Sequence, residues 1–223
     1  MTHRDTDELI RSLAGKAKPV RLLQSPLARA TGWLGPALLY VAFVVVLLGR
    51  RGDLASKMAD PRFVIEAATA LSMAFAAAIA ACATVVPGYS RMTLAALLVP
   101  LAAWLGSLGF GCVEDWITLG SRDLVLQTDW SCFPAILVTS GVPTIAIAVM
   151  LRRGAPLTPT LSMALGGLAA GALADFGMRF HHREAGVMVL VWHVGAVFII
   201  LGVTASVGRH VLKWRVVEPT FGG

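Results

Sequence analysis

Six long apolar runs govern this sequence, at residues 32–49, 64–86, 92–111, 133–151, 161–178 and 186–207. At a rise of 1.5 Å per residue, a helix of about 20 residues matches a hydrocarbon core roughly 30 Å thick. Lipid offers backbone amides no water to bond, so only helices and closed barrels cross it. A barrel requires alternating polar and apolar residues. Runs such as LLYVAFVVVLL and AAIAACATVV do not alternate. The expected fold is therefore all-α: an integral membrane bundle of six transmembrane helices with a short cytoplasmic N-terminal tail. Composition agrees, because only 14% of the 223 residues are charged against about a quarter in soluble domains. The runs divide the chain into a tail at 1–31, a membrane domain at 32–207 and a C-terminal tail at 208–223, which leaves no room for a second soluble domain. The tail lacks the early apolar core and small-residue cleavage site of a signal peptide, so the first span is expected to be an uncleaved anchor.

The chain carries a net charge of +6. In a soluble protein that excess would suggest nucleic acid. Here the collection of Lys and Arg on cytoplasmic loops suffices, and the lipid bilayer, without direct nucleic-acid contact, is the expected surrounding. With the N-terminus inside, twelve of the nineteen Lys and Arg fall on inner segments and seven on outer ones. The bias sets both termini in the cytoplasm, as in a multi-pass membrane protein. Arg50 and Arg51 run against it, while the outer loop from Cys112 to Cys132 supports it with Glu114, Asp115, Asp123 and Asp129 against Arg122 alone.

Some features shape a bundle without naming a function. Gly167 and Gly171 form a small-xxx-small pair that admits a close neighbouring helix. Pro36, Pro100, Pro134 and Pro143 kink or start spans. Trp33, Trp116, Trp130 and Trp214 lie at expected interfaces. Cys82 reads as a small buried hydrophobe in mid-span.

The tail holds more information. Thr6 can cap a short helix whose positive end suits Asp7 and Glu8. Leu9, Ile10 and Leu13 then share one face, and Gly15 and Pro19 end the helix. A second apolar cluster begins at Val20, beside Arg21. The same face serves two purposes equally well. It can lie on anionic lipid, or it can enter a groove on a soluble protein. The tail is too short for a helix-turn-helix of its own, so any effect on transcription must pass through a partner.

Chemistry-bearing side chains gather at the outer face. Cys132 precedes the fourth span, His181 and His182 precede the sixth, and Cys112 opens the outer loop. His193 lies about two turns inside the sixth span, and Asp175 lies near the outer end of the fifth. Thiolates and imidazoles are ligands for soft or borderline metals of the Cu, Zn or Cd class. Ionisable residues within spans are costly and mark functional candidates. Asp175 can equally pair with Arg179 four residues on, and His193 can equally bond a neighbouring helix. No HExxH, phosphate loop or nucleophile elbow occurs, so no enzyme activity is expected. A small transporter or channel is the alternative class. It would need paired charges or broken helices near the bilayer midplane, where these runs are apolar.

TDELIRSLAGKAKPVRLLQSPLAR at residues 6–29 is followed, from residue 129 to 214, by DWSCFPAIL, LRRGAPLTPT, GGLAAGALADFGMRFHH, VLVWH and GRHVLKW. This order resembles the NrsF family of six-span bacterial membrane proteins, the negative regulators of sigma F. The resemblance implies an anti-sigma factor. Such a protein holds an extracytoplasmic-function sigma factor at the inner membrane through its tail and releases it under metal or oxidative stress. It also implies that two cysteines outside the membrane matter. One matches Cys132, and His182 stands where the second would be. An imidazole there keeps ligand chemistry and removes disulfide chemistry. Two sensors are then open: a metal site of Cys132 with His182 and His181, which the replacement favours, or a Cys112–Cys132 disulfide across a short loop.

Overall fold

The computed structural model describes residues 3–16, 23–119, 132–181 and 189–213, and among them every regular element is helical. In chain order these are α1 (His3–Lys16), α2 (Pro26–Leu48), the single turn α3 (Leu54–Lys57), α4 (Pro61–Ala83), the short α5 (Arg91–Ala95), α6 (Leu98–Leu119), α7 (Cys132–Leu151) and α8 (Pro159–Met178). A π-helical turn, Val189–Val194, then leads into α9 (Gly195–Val211). Six helical segments are long and apolar enough to cross a membrane: Pro26–Leu48, Pro61–Ala83, Arg91–Thr118, Phe133–Leu151, Pro159–Met178 and Val191–Val211.

Local chemistry sets where the spans start. Three begin with Pro directly after a capping residue, at Ser25-Pro26, Asp60-Pro61 and Thr158-Pro159. Pro suits the first helical position because its missing N–H would have no helical partner there. Ser25 accepts a bond from the Ala28 amide at 3.2 Å, and Asp60 accepts one from the Arg62 amide at 3.0 Å. At the other end of α2, Gly49 adopts a φ of 91°, a left-handed value that glycine takes without strain.

One helix forms the centre. In α8, 83% of the membrane-length window is buried, against 22–44% in the other five spans. A helix apolar on every side belongs inside a bundle, and GGLAAGALA keeps α8 thin enough to be surrounded. Gly167 faces Thr204 of α9 so closely that any β-carbon would collide with its hydroxyl. At Gly171 a β-carbon would lie 3.3 Å from Val197. Both glycines therefore set the α8–α9 approach. Gly177 does the same for Val41 of α2.

Two boundaries differ from those the apolar runs give, and an arginine with buried or charged partners explains each. α2 starts at Pro26, inside the stretch read as tail. It does so because Arg29 is only 5% exposed and bonds the carbonyls of Cys82 at 3.3 Å and Met150 at 2.8 Å. Arg29 thus adds a donor to carbonyls in the last turns of α4 and α7. Cys82 is accordingly not in mid-span but one residue from the end of α4, and it is fully buried. α6 runs on to Leu119, so Cys112, Glu114, Asp115 and Trp116 sit on a helix and not in a loop. Trp33 is also displaced from its expected place at the interface. It is buried, and its indole N–H donates to the Pro143 carbonyl of α7 at 3.0 Å.

Candidate functional site

The outer end of the bundle, as the charge bias orients it, holds a connected set of ionisable side chains. Its deepest member is Asp175, fully buried on the last turns of α8. The indole N–H of Trp104 on α6 donates to Asp175 Oδ2 at 3.1 Å. His193 Nδ1 lies 2.6 Å from Asp175 Oδ1. Arg179, the residue after the end of α8, reaches back to Asp175 at 3.7 Å. The local Asp175–Arg179 pair and the interhelical bond of His193 thus coexist.

Arg179 has a nearer partner. Its Nη1 donates to Glu66 Oε2 of α4 at 2.6 Å, with both side chains largely out of water. Glu66 Oε1 accepts from Arg62 Nε at 3.1 Å. Arg62 in turn forms a bidentate fork on Asp115 of α6, at 2.6 and 3.0 Å, and touches Glu114 at 3.4 Å. The planar guanidinium fits a carboxylate in this two-bond geometry, among the stronger polar contacts available. Gly111 makes the approach possible, because a β-carbon there would lie 2.5 Å from Arg62 Nη2. The set joins α8, the π-helical turn, α6 and α4 into one polar layer beneath the outer surface.

A second group ties the end of α2 to the end of α8. The Arg51 amide donates to the Phe180 carbonyl at 3.0 Å, and its guanidinium reaches the Arg179 carbonyl at 3.4 Å. The same guanidinium forks onto Asp53 at 2.7 and 3.0 Å and lies over the Phe63 ring at 5.8 Å. His181 Nδ1 hydrogen-bonds the Gly49 carbonyl. Arg51, which the charge count placed on the unfavoured side, is therefore neutralised and used as a clasp. Nearby, Lys57 donates to Asp60 at 2.9 Å and holds that carboxyl below the usual carboxylate range. Arg51, Lys57, Arg62, Glu66, Arg179 and His193 contribute to the walls of a polar cavity of about 170 Å³.

The residues expected to sense, and two of those expected to bind the partner, divide between this cluster and places outside the described residues. His182, Val20 and Arg21 lie outside them, as does the side chain of Cys132, although Cys132 opens α7. His181 and His193 are both at this end. Cys112 is a partly exposed free thiol on α6, one residue beyond Gly111. Among the described residues no group of three or more His, Cys, Asp and Glu could hold a metal ion, since the carboxylates here are engaged by arginines. The bond from Asp175 to a ring nitrogen of His193 is nevertheless the kind that orients a ligating imidazole. His193 also sits in a π-helical turn, a distortion frequent at functional sites.

Sequence reasoning passed over Glu66, Arg62, Trp104 and Arg29. Glu66 could have been found, because it is the lone charge within the apolar run 64–86.

Comparison with known proteins gives one positive result. A family model described as NrsF, negative regulator of sigma F, matches residues 13–214. The match begins at Leu13 of α1 and covers every span. No curated protein and no solved structure matches.

Proposed function

The chain belongs to the NrsF family, the negative regulators of sigma F, and from that footing we propose that it is a membrane-held anti-sigma factor for a sigma factor of the extracytoplasmic-function class. It has no catalytic step. Both termini are cytoplasmic, and α1 occupies the sigma factor and keeps it from RNA polymerase. The observation that carries this reading is the apolar face of α1, left uncovered by the rest of the chain. Leu9, Ile10 and Leu13 are 50%, 58% and 61% exposed. An amphipathic helix offers such a face to a groove on a partner. Val20 and Arg21 continue the contact. The experiment is co-purification of the full chain with sigma factors, paired with reporter fusions after residues 30, 89, 155 and 215. A sigma factor retained on the membrane, with all four fusions cytoplasmic, is the expected result. A periplasmic N-terminus would overturn the reading, because the tail could then never meet its partner.

The sensor we propose is Cys132 with His182 and His181. A thiolate and imidazoles suit a thiophilic ion of the Cu, Zn or Cd class, which would supply bonds strong enough to draw the chain segments bearing them together. His181 gives that movement a route inward. It holds the end of α2 through Gly49, and α2 is a helix of 23 residues, about 34 Å along its path, whose other end leads to the tail. Coupling through such an element needs only about 1–3 kcal/mol to change affinity some 5–150-fold. Single substitutions separate the two sensing chemistries. Cys132→Ser and His182→Ala are expected to blunt release of the sigma factor by added metal, while Cys112→Ser leaves it intact. Loss with Cys112→Ser and none with His182→Ala would favour a Cys112–Cys132 thiol switch.

A further inference from the structure

The two ends of the bundle differ in how their cations are balanced. At the outer end every described arginine that reaches inward meets a carboxylate or a helix-terminal carbonyl. Among the described residues of the spans and their connecting loops the opposite end has no carboxylate; the acidic residues on that side, Asp5, Asp7, Glu8 and Glu218, belong to the two tails. The chain carries no Asp or Glu between Glu8 and Asp53, Glu66 and Glu114, Asp129 and Asp175, or Glu184 and Glu218. Arg91, Arg152, Arg153, Arg209 and Lys213 nevertheless stand at that end. Arg152 uses its Nε to bond the Val211 carbonyl at 2.9 Å, and Arg29 is buried against two carbonyls. Arg153 is exposed, and its side chain forms no ion pair or hydrogen bond with the described residues. Arg29, a like charge, lies near enough to interact with it.

Arg153 stands at the mouth of a trough of about 320 Å³ on the lipid-facing surface between α2 and α7. Trp33, Ala37, Tyr40, Val142, Ala146 and Met150 line it. Trp33 forms a fixed wall, because its N–H is held by the Pro143 carbonyl. The side exposed to lipid is open at Gly32, Pro36, Val142 and Ala146, where small residues and the absence of a long side chain leave the groove unfilled. Along α7 the lining runs from Val142 to Met150, eight steps of 1.5 Å or about 12 Å, and Arg153 follows in the turn just beyond the end of the helix. Together they reach close to half of a roughly 30 Å hydrocarbon core. The trough therefore spans one leaflet, and its single cation lies at the level of the headgroups.

We propose that this trough is a site for one anionic phospholipid, with an acyl chain along α2 and α7 and the phosphate on Arg153. Length, polarity and charge all fit that ligand. Basic pockets between transmembrane helices are a known kind of site for anionic headgroups. A helix of another protein would leave Arg153 facing lipid at the end of an apolar groove. A second copy of this chain would bring Arg153 no carboxylate from its own matching surface. The site is separate from the outer sensor and from the tail, so it stands whether or not α1 binds a sigma factor. The lipid would wedge α2 against α7 beside Arg29, where the tail joins the bundle.

The test is native mass spectrometry of the full chain taken from nanodiscs containing equal parts phosphatidylglycerol and phosphatidylcholine. The wild type is expected to retain one phosphatidylglycerol in preference to phosphatidylcholine by about fivefold, the effect of one arginine at an anionic surface. Arg153→Gln should abolish the preference. Ala146→Trp, which fills the trough, should lower retention of both lipids. Arg209→Gln removes the same charge from α9 and should change nothing. Equal losses with Arg153→Gln and Arg209→Gln would mean a diffuse charge effect and overturn the site, as would full retention by Ala146→Trp. A dimer that Ala146→Trp dissolves would show that a second copy occupies the trough and would equally overturn the proposal. Arg153 is on the surface, so its variant folds; thermal unfolding in zwitterionic detergent confirms this for each variant.

Discussion

Serine at positions 9, 10 and 13 together is expected to weaken binding of the sigma factor to the full chain by about 100-fold or more. Leu9, Ile10 and Leu13 form the coherent apolar face of α1, and each is at least half exposed, so a partner can bury most of each side chain. Burying a Leu or Ile side chain is worth about 1.5–3 kcal/mol. Truncation of a well-seated anchor costs 1 kcal/mol or more. Three anchors at about 1–1.5 kcal/mol each sum to roughly 3–4.5 kcal/mol, and every 1.4 kcal/mol is tenfold. In cells the same variant should switch on the genes of the sigma factor without stress. Serine also lowers helix propensity by a few tenths of a kcal/mol per site relative to Leu. Glutamine at the same three positions keeps the helix and removes the face, and it should weaken binding to a similar degree. Undiminished capture of the sigma factor by both variants would show that this face rests on lipid and that the binding surface lies elsewhere.

The bundle was legible because hydropathy is a local property. Twenty consecutive apolar residues must find lipid or a core, whatever the rest of the chain does, and six such stretches gave six membrane-length helices. Helix ends were less legible where a charge was paired. Arg29 reads as one more basic residue of the tail until the carbonyls of Cys82 and Met150, 53 and 121 positions away, come to meet it. Glu114 and Asp115 read as a loop because charges end an apolar run. They stay helical because Arg62, 53 positions earlier than Asp115, neutralises them. The polar layer was half visible. Asp175 and His193 stood out as ionisable groups inside spans, and the i,i+4 spacing pointed to Arg179. Nothing local reveals that Arg179 bonds Glu66 on α4, 113 positions away. The spacing of Gly167 and Gly171 could be read without knowing which helix they admit. The partner, α9, emerges from the packing, with Thr204 and Val197 against them.

Arg179→Leu is expected to destabilise the bundle by about 3–5 kcal/mol, the cost of breaking a buried pair by removing one partner. Arg179 is 6% exposed and serves two carboxylates, Glu66 at 2.6 Å and Asp175 at 3.7 Å. Without it those carboxylates lose their shared cation in surroundings that hydrate poorly. Asp175 keeps Trp104 and His193, and Glu66 keeps Arg62, so the bundle should still assemble at low temperature. Glu66→Gln should cost less, because Arg179 retains Asp175 and the amide oxygen still accepts a bond. The decisive variant combines Glu66→Leu with Arg179→Leu. Replacing both members of a buried pair by apolar residues is often neutral, so the double variant should recover a large part of what Arg179→Leu alone loses. A coupling of about 2 kcal/mol across this cycle marks a buried interaction. Thermal unfolding of the full chain in one detergent measures the four corners of the cycle: wild type, Glu66→Leu, Arg179→Leu and the double variant. A cost below about 0.5 kcal/mol for Arg179→Leu would place the pair among solvated surface bridges, and α8 would then lose its anchor to α4. In the proposed mechanism the same substitution slackens the Arg51 and Gly49 clasp, which is built on carbonyls and a ring at residues 179–181. Metal-triggered release should therefore weaken in Arg179→Leu even at temperatures where the bundle remains folded.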